Sequence, residues 1–121
     1  EVWLNDGNVV IGAETTAFRV HRSVLSLHSD VLRDMFTLPP PTDDGQEMME
    51  GYPVVRVSDM AADMRHMLKA LYGGSEMLSG YKTKAEFKVL AALLRLAHKY
   101  QIDKLRDGAL ARLKALYVDD F

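Results

Sequence analysis

The chain has 121 residues, about the size of one domain, and carries a net charge of −2. It contains no Cys, which excludes disulfides, thiolate metal sites and cysteine nucleophiles, and it fits an intracellular protein of the cytoplasm or nucleus. No apolar run approaches the roughly 20 residues that span a bilayer, and the start, Glu1-Val-Trp-Leu, lacks the basic region of a signal peptide. A first residue that is Glu rather than Met is expected of a piece of a longer protein.

Asp6-Gly7 is a turn signal, and Asn8-Val-Val-Ile11 after it is a short β-rich run. Ala17-Phe-Arg-Val20 alternates apolar and polar residues, so it is predicted as a second strand joined to the first through Glu14-Thr-Thr16. From His21 the period becomes helical. Ser29 or Asp30 is placed to cap a further helix bearing Val31, Leu32, Met35 and Phe36. Pro39-Pro-Pro41 stops it. The segment from Thr37 to Pro53, with four Pro, two Gly and four acids, reads as one long exposed loop.

Val54 to Val57 is predicted as a strand. Ser58 or Asp59 would cap the next helix, whose apolar stripe is Met60, Met64, Met67, Leu68 and Leu71 and whose end is Gly73-Gly74. Residues 85–101 are apolar on nearly all sides apart from a strip of Lys88, Arg95 and Lys99, the pattern of a central core helix. Leu105, Ala109, Leu113 and Leu116 mark a final amphipathic helix.

This order of strands and helices is similar to the BTB (POZ) domain, a protein-interaction module with an α+β fold in which a small sheet caps a cluster of helical hairpins. Phe18, His21, Arg22 and Leu25 match one family motif, and Ser29, Met35 and Phe36 the next, with Leu32 where Phe is usual. Leu71, Tyr72 and Gly74 match a later turn, and Ala97, Tyr100, Ile102 and Leu105 a helix junction. The likeness spans essentially residues 1–121 as a single domain, and the N-terminal half resembles fungal BTB proteins.

The resemblance implies function by binding other proteins, as a homodimer or by recruiting a partner. It also implies a charged pair between Asp6 and Arg22 near an interface. Members that recruit a cullin ubiquitin ligase carry an apolar-x-Glu motif after the second helix, and Met48-Met49-Glu50 has that form, with Met48 and Glu50 as its defining residues. Only five residues precede Asp6, so the extra N-terminal helix and strand of many dimeric members are expected to be absent or trimmed, and a dimer built through them is not expected.

The residues themselves argue against chemistry. His21 and His28 lie on one helical face, but no third or fourth ligand follows at metal spacing, so no metal and no cofactor are expected. His21 is expected to pack at the strand-to-helix corner and hydrogen-bond the backbone. No phosphate loop, nucleophile elbow or zinc-protease motif occurs, and a small metal-dependent hydrolase is the alternative from another class. Residues 82–121 are basic, with nine Lys and Arg against five acids, yet few aromatics stand among them. Direct nucleic-acid binding, like membrane or small-molecule binding, is not expected.

Overall fold

The computed structural model describes residues 2–37, 47–73 and 84–119. Four strands and five helices follow in the order β1 (Val9–Ala13), β2 (Thr16–Val20), α1 (Arg22–His28), α2 (Asp30–Thr37), β3 (Met48–Met49), β4 (Tyr52–Val57), α3 (Ala61–Gly73), α4 (Lys84–Lys99) and α5 (Asp103–Asp119). The sheet order is β2-β1-β4-β3. β1 and β2 form an antiparallel hairpin with Ala13 opposite Thr16, so the connection is the two residues Glu14 and Thr15. Glu14 takes φ 55°, the positive φ that such tight hairpin turns require at their first central residue. β1 pairs with β4 in parallel, which the intervening α1–α2 crossover makes feasible.

Alternation in the strands decides which side chains face the helices. Val9, Ile11, Ala13, Phe18 and Val20 point to one face and join the core, with Val55 and Val57 packed against it. Met64, Met67, Leu68, Leu90, Leu93 and Leu96 meet them from α3 and α4. α4 packs on both α3 and α5, as a helix apolar around most of its surface must. Ser29 is the N-cap of α2: its hydroxyl accepts the Leu32 N–H at 3.0 Å and donates to the Tyr100 carbonyl at 2.6 Å. One buried hydroxyl thus starts α2 and ties it to the α4–α5 junction.

Several expectations need correction. The stretch from Thr37 to Pro53 is not loop throughout. Met48–Met49 and Tyr52–Val57 form a hairpin across Glu50 and Gly51, at φ 53° and 85°, the two positive values of a type I′ turn. Pro53 fits because it faces Met48 between two hydrogen-bonding positions; the next N–H, of Val54, reaches the Glu47 carbonyl at 2.8 Å. Residues 38–46 lie outside the described residues, as does Gly74.

The predicted cap of α3 also differs. Asp59 turns to Lys99 and to the Tyr100 hydroxyl, and Ser58 to Lys99. The first N–H of α3, from Ala61, goes instead to the Glu14 carboxylate at 2.6 Å. Met60 falls outside the helix and is 60% exposed, whereas Met64 and Met67 are fully buried. The stripe begins one turn later than its spacing suggests.

Candidate interaction surfaces

Phe18, His21, Leu25, Ser29, Met35 and Phe36 gather where β2 enters the α1–α2 hairpin. Phe18 and Leu25 are core, Ser29 is the buried cap, and Met35 and Phe36 pack half-buried against the core. These residues are therefore scaffold. His21 forms a corner of its own. Its Nε2 lies 2.8 Å from Asp6 Oδ1, and its Nδ1 lies 2.9 Å from the Tyr72 hydroxyl. The same hydroxyl accepts the His21 backbone N–H at 2.9 Å. One neutral tautomer serves every contact: Tyr72 donates to Nδ1 while Nε2–H donates to Asp6.

The hydrogen bond from His21 holds the Asp6 carboxyl below the ordinary 3.8, although Asp6 itself is 86% exposed. Partial burial pushes the Tyr72 hydroxyl up. The expected roles of His21 and Asp6 therefore change within one chain. The His21 ring bonds two side chains, Asp6 and Tyr72, rather than backbone, and Asp6 pairs with His21 rather than Arg22. The Arg22 backbone N–H meets the Asn8 side chain at 2.8 Å, and the residue is exposed. An aspartate so close to a histidine leaves a signal in the sequence only if the turn and the corner are already known to adjoin.

The strip on α4 is a seam. Arg95 pairs with Asp63 at 2.6 Å, and Lys99 with Asp59 at 2.8 Å, fastening α4 to the start of α3. Burial first and Asp59 second push the Tyr100 hydroxyl well above its ordinary range. A cavity of 340 Å³ lies at the α2, α4 and α5 ends, bounded by Asp30, His98, Gln101, Asp103 and Arg106. Its arginine is already paired with Asp103 and Asp107. Among the described residues no three His, Asp or Glu side chains converge as a metal site, and no helix is long and apolar enough to cross a membrane.

Exposed apolar side chains stand elsewhere. Leu27 on α1 is 81% exposed. Met48 and Met49 on β3 are 54% and 36% exposed, beside Glu50 in the hairpin turn. β3 is the last strand of the sheet, with β4 on one side and no strand among the described residues on the other. An edge strand presents unpaired N–H and C=O groups as a template for another chain, and Met adapts readily to varied partners. The opposite edge is blunted: residues 2–4 run parallel to β2, with Leu4 N–H to the Arg19 carbonyl at 3.0 Å and Arg19 N–H to the Val2 carbonyl at 3.2 Å.

Comparison with known proteins agrees with this arrangement. A family model of the BTB/POZ domain matches residues 5–115. A search of curated proteins finds no significant match.

Proposed function

Because the chain belongs to the BTB/POZ domain family, a family of protein–protein interaction modules, we propose that it works by self-association, with a second copy as its first partner. The observation that carries this reading is the open β3 edge with Met48 and Met49 exposed on it. Backbone pairing gives such a contact its direction, and the methionines supply apolar burial. Leu27 offers a second exposed apolar point on the α1–α2 hairpin.

Sedimentation of wild type against Met48→Asp/Met49→Asp tests the reading. Self-association lost in the double variant supports it. Equal association in both would move the interface elsewhere.

A second reading is adaptor duty in a cullin ubiquitin ligase. It is favoured by the exposure of Met48-Met49-Glu50 at the hairpin tip, where an apolar-x-Glu motif can reach a partner. A calorimetric titration with a cullin N-terminal domain tests it: micromolar binding that Glu50→Lys abolishes is the result expected, and no heat at high concentration would exclude it. Binding rather than catalysis, an intracellular setting and kinship with fungal members belong to the same proposal. The family supports the first, the absence of Cys fits the second, and the resemblance of the N-terminal half supports the third.

A further inference from the structure

The helices described cover one face of the sheet; the other face has a chemistry of its own. Strand register places Val10, Arg19 and Val54 in one row on that outer side, with Gly12, Ala17 and Arg56 in the next. Tyr52 and Met49 extend it toward the β3 edge, and Trp3, bridged to Arg19, extends it at the other end. Tyr52 and Trp3 are half-buried. Val10 and Val54 are buried but stand outside the main core cluster. Trp, Tyr and Arg are the residues that most often dominate binding energy at interfaces, and Met is enriched there too.

The two arginines on this face differ. Arg56 is neutralised by Glu47 through two hydrogen bonds, at 2.9 and 2.6 Å. That bidentate contact holds the Glu47 carboxyl below its ordinary value and the Arg56 guanidinium above its own. Arg19 makes no ion pair among the described residues. It is nevertheless held in place: its guanidinium lies over the Tyr52 ring, 4.4 Å from the centroid, and its Nε donates to the Gly7 carbonyl at 2.9 Å. The stacking and the Nε bond fix the planar fork, and neither Nη group makes a hydrogen bond among the described residues. A carboxylate meeting such a fork gains two parallel charge-assisted bonds and immobilises little that was free.

We propose that the outer face of the sheet, centred on Arg19 with Tyr52, Trp3 and Met49 around it, docks a segment of a partner protein that carries an Asp or Glu flanked by apolar residues. The carboxylate binds the Arg19 fork and the apolar neighbours cover the aromatic and methionine side chains. The proposal rests on the reading of the chain as an interaction module and names the chemistry of a partner for it. It asks for a carboxylate in particular because, among the described residues, no carboxylate lies within ion-pair distance of the Arg19 guanidinium, Asp6 acting on it only from farther off.

The test is selection of displayed random peptides of about twelve residues on the full chain, a length ample for an extended segment to cross the sheet. Enriched peptides are then synthesised and titrated by fluorescence anisotropy. We expect them to share an Asp or Glu beside apolar residues, and Arg19→Gln to weaken them about tenfold or more. Arg19→Lys keeps the charge but not the fork or the stack, so about threefold or more is lost. Tyr52→Leu keeps apolar cover without the ring and falls between wild type and Arg19→Gln. Thermal unfolding of each variant shows that the fold is intact.

Enriched peptides without a carboxylate, or peptides that bind Arg19→Gln as tightly as wild type, overturn the proposal while leaving an interaction module that binds elsewhere. No enriched peptide from a chain that self-associates also overturns it and spares the module. Neither enrichment nor self-association would sink both. If Arg19→Gln dissolves a self-associated form, the occupant is a second copy and the partner named here is wrong.

Discussion

Replacing Ser29 by Ala removes two bonds of one buried hydroxyl. Loss of the N-cap bond to Leu32 costs about 1 kcal/mol. The Tyr100 carbonyl, in a residue only 2% exposed, loses its donor, which adds about 1–2 kcal/mol. Together this is about 2–3 kcal/mol, and for a domain of this size about 4 °C of melting temperature accompanies each kcal/mol, so a fall of about 8–12 °C is expected. Urea unfolding should show a lower midpoint with an unchanged slope. Ser29→Gly separates the two bonds. Gly is tolerated at an N-cap at a cost of only a few tenths of a kcal/mol, so it should be milder than Ala by roughly 0.5–1 kcal/mol. A loss below about 0.5 kcal/mol in Ser29→Ala would refute the idea that this hydroxyl ties α2 to the α4–α5 junction.

Other predictions concern packing, charge and close approach. Leu68→Ala, fully buried between sheet and helices, should cost about 2–5 kcal/mol by urea titration, whereas Met60→Ala should stay within about 0.5 kcal/mol. Gly7→Ala should destabilise by about 1–3 kcal/mol, because a Cβ there would sit 2.8 Å from the Val20 carbonyl oxygen, a backbone atom that cannot swing away. A double-mutant cycle should find coupling between Asp6→Asn and His21→Gln and none between Asp6→Asn and Arg22→Gln. Asp6 has its carboxyl lowered in the folded state, so its contribution is present above the ordinary 3.8 and is lost as pH falls through the lower folded value. The stability gap between wild type and Asp6→Asn should therefore hold at pH above 3.8 and close below it; a gap independent of pH would contradict the Asp6–His21 pairing.

Elements whose signals are local could be read from the sequence. The alternation of residues 17–20, the Ser29 cap and the buried spacing of Met64, Met67 and Leu68 all appear in the fold as their patterns require. Of the motif residues, Phe18 and Leu25 are core and Ser29 is a cap, whereas Arg22 and Tyr72 are exposed. What escaped depended on partners distant in sequence or on a turn masked by neighbouring prolines. Glu14 caps a helix 47 residues later, and Asp59 is drawn away by Lys99 and Tyr100, so propensity at Ser58 and Asp59 pointed to the wrong cap. Glu50-Gly51 is a hairpin signal, but Pro53 beside it argued for a loop, since only pairing register shows that its missing N–H falls at a position without a ladder bond. The place of Asp6 was readable as a turn, whereas its partner was not. His21 meets Asp6 through one ring nitrogen while Tyr72, on the third helix, holds the other. The outer face around Arg19 was invisible to a reading along the chain, because Trp3, Arg19, Tyr52 and Met49 come together only through strand pairing.

Sedimentation equilibrium of the full chain, from low to high micromolar concentration, tests the central claim most directly. The account predicts a concentration-dependent rise above the 13.6 kDa of one chain, abolished by Met48→Asp/Met49→Asp. A single species of that mass at every concentration would contradict self-association through the β3 edge.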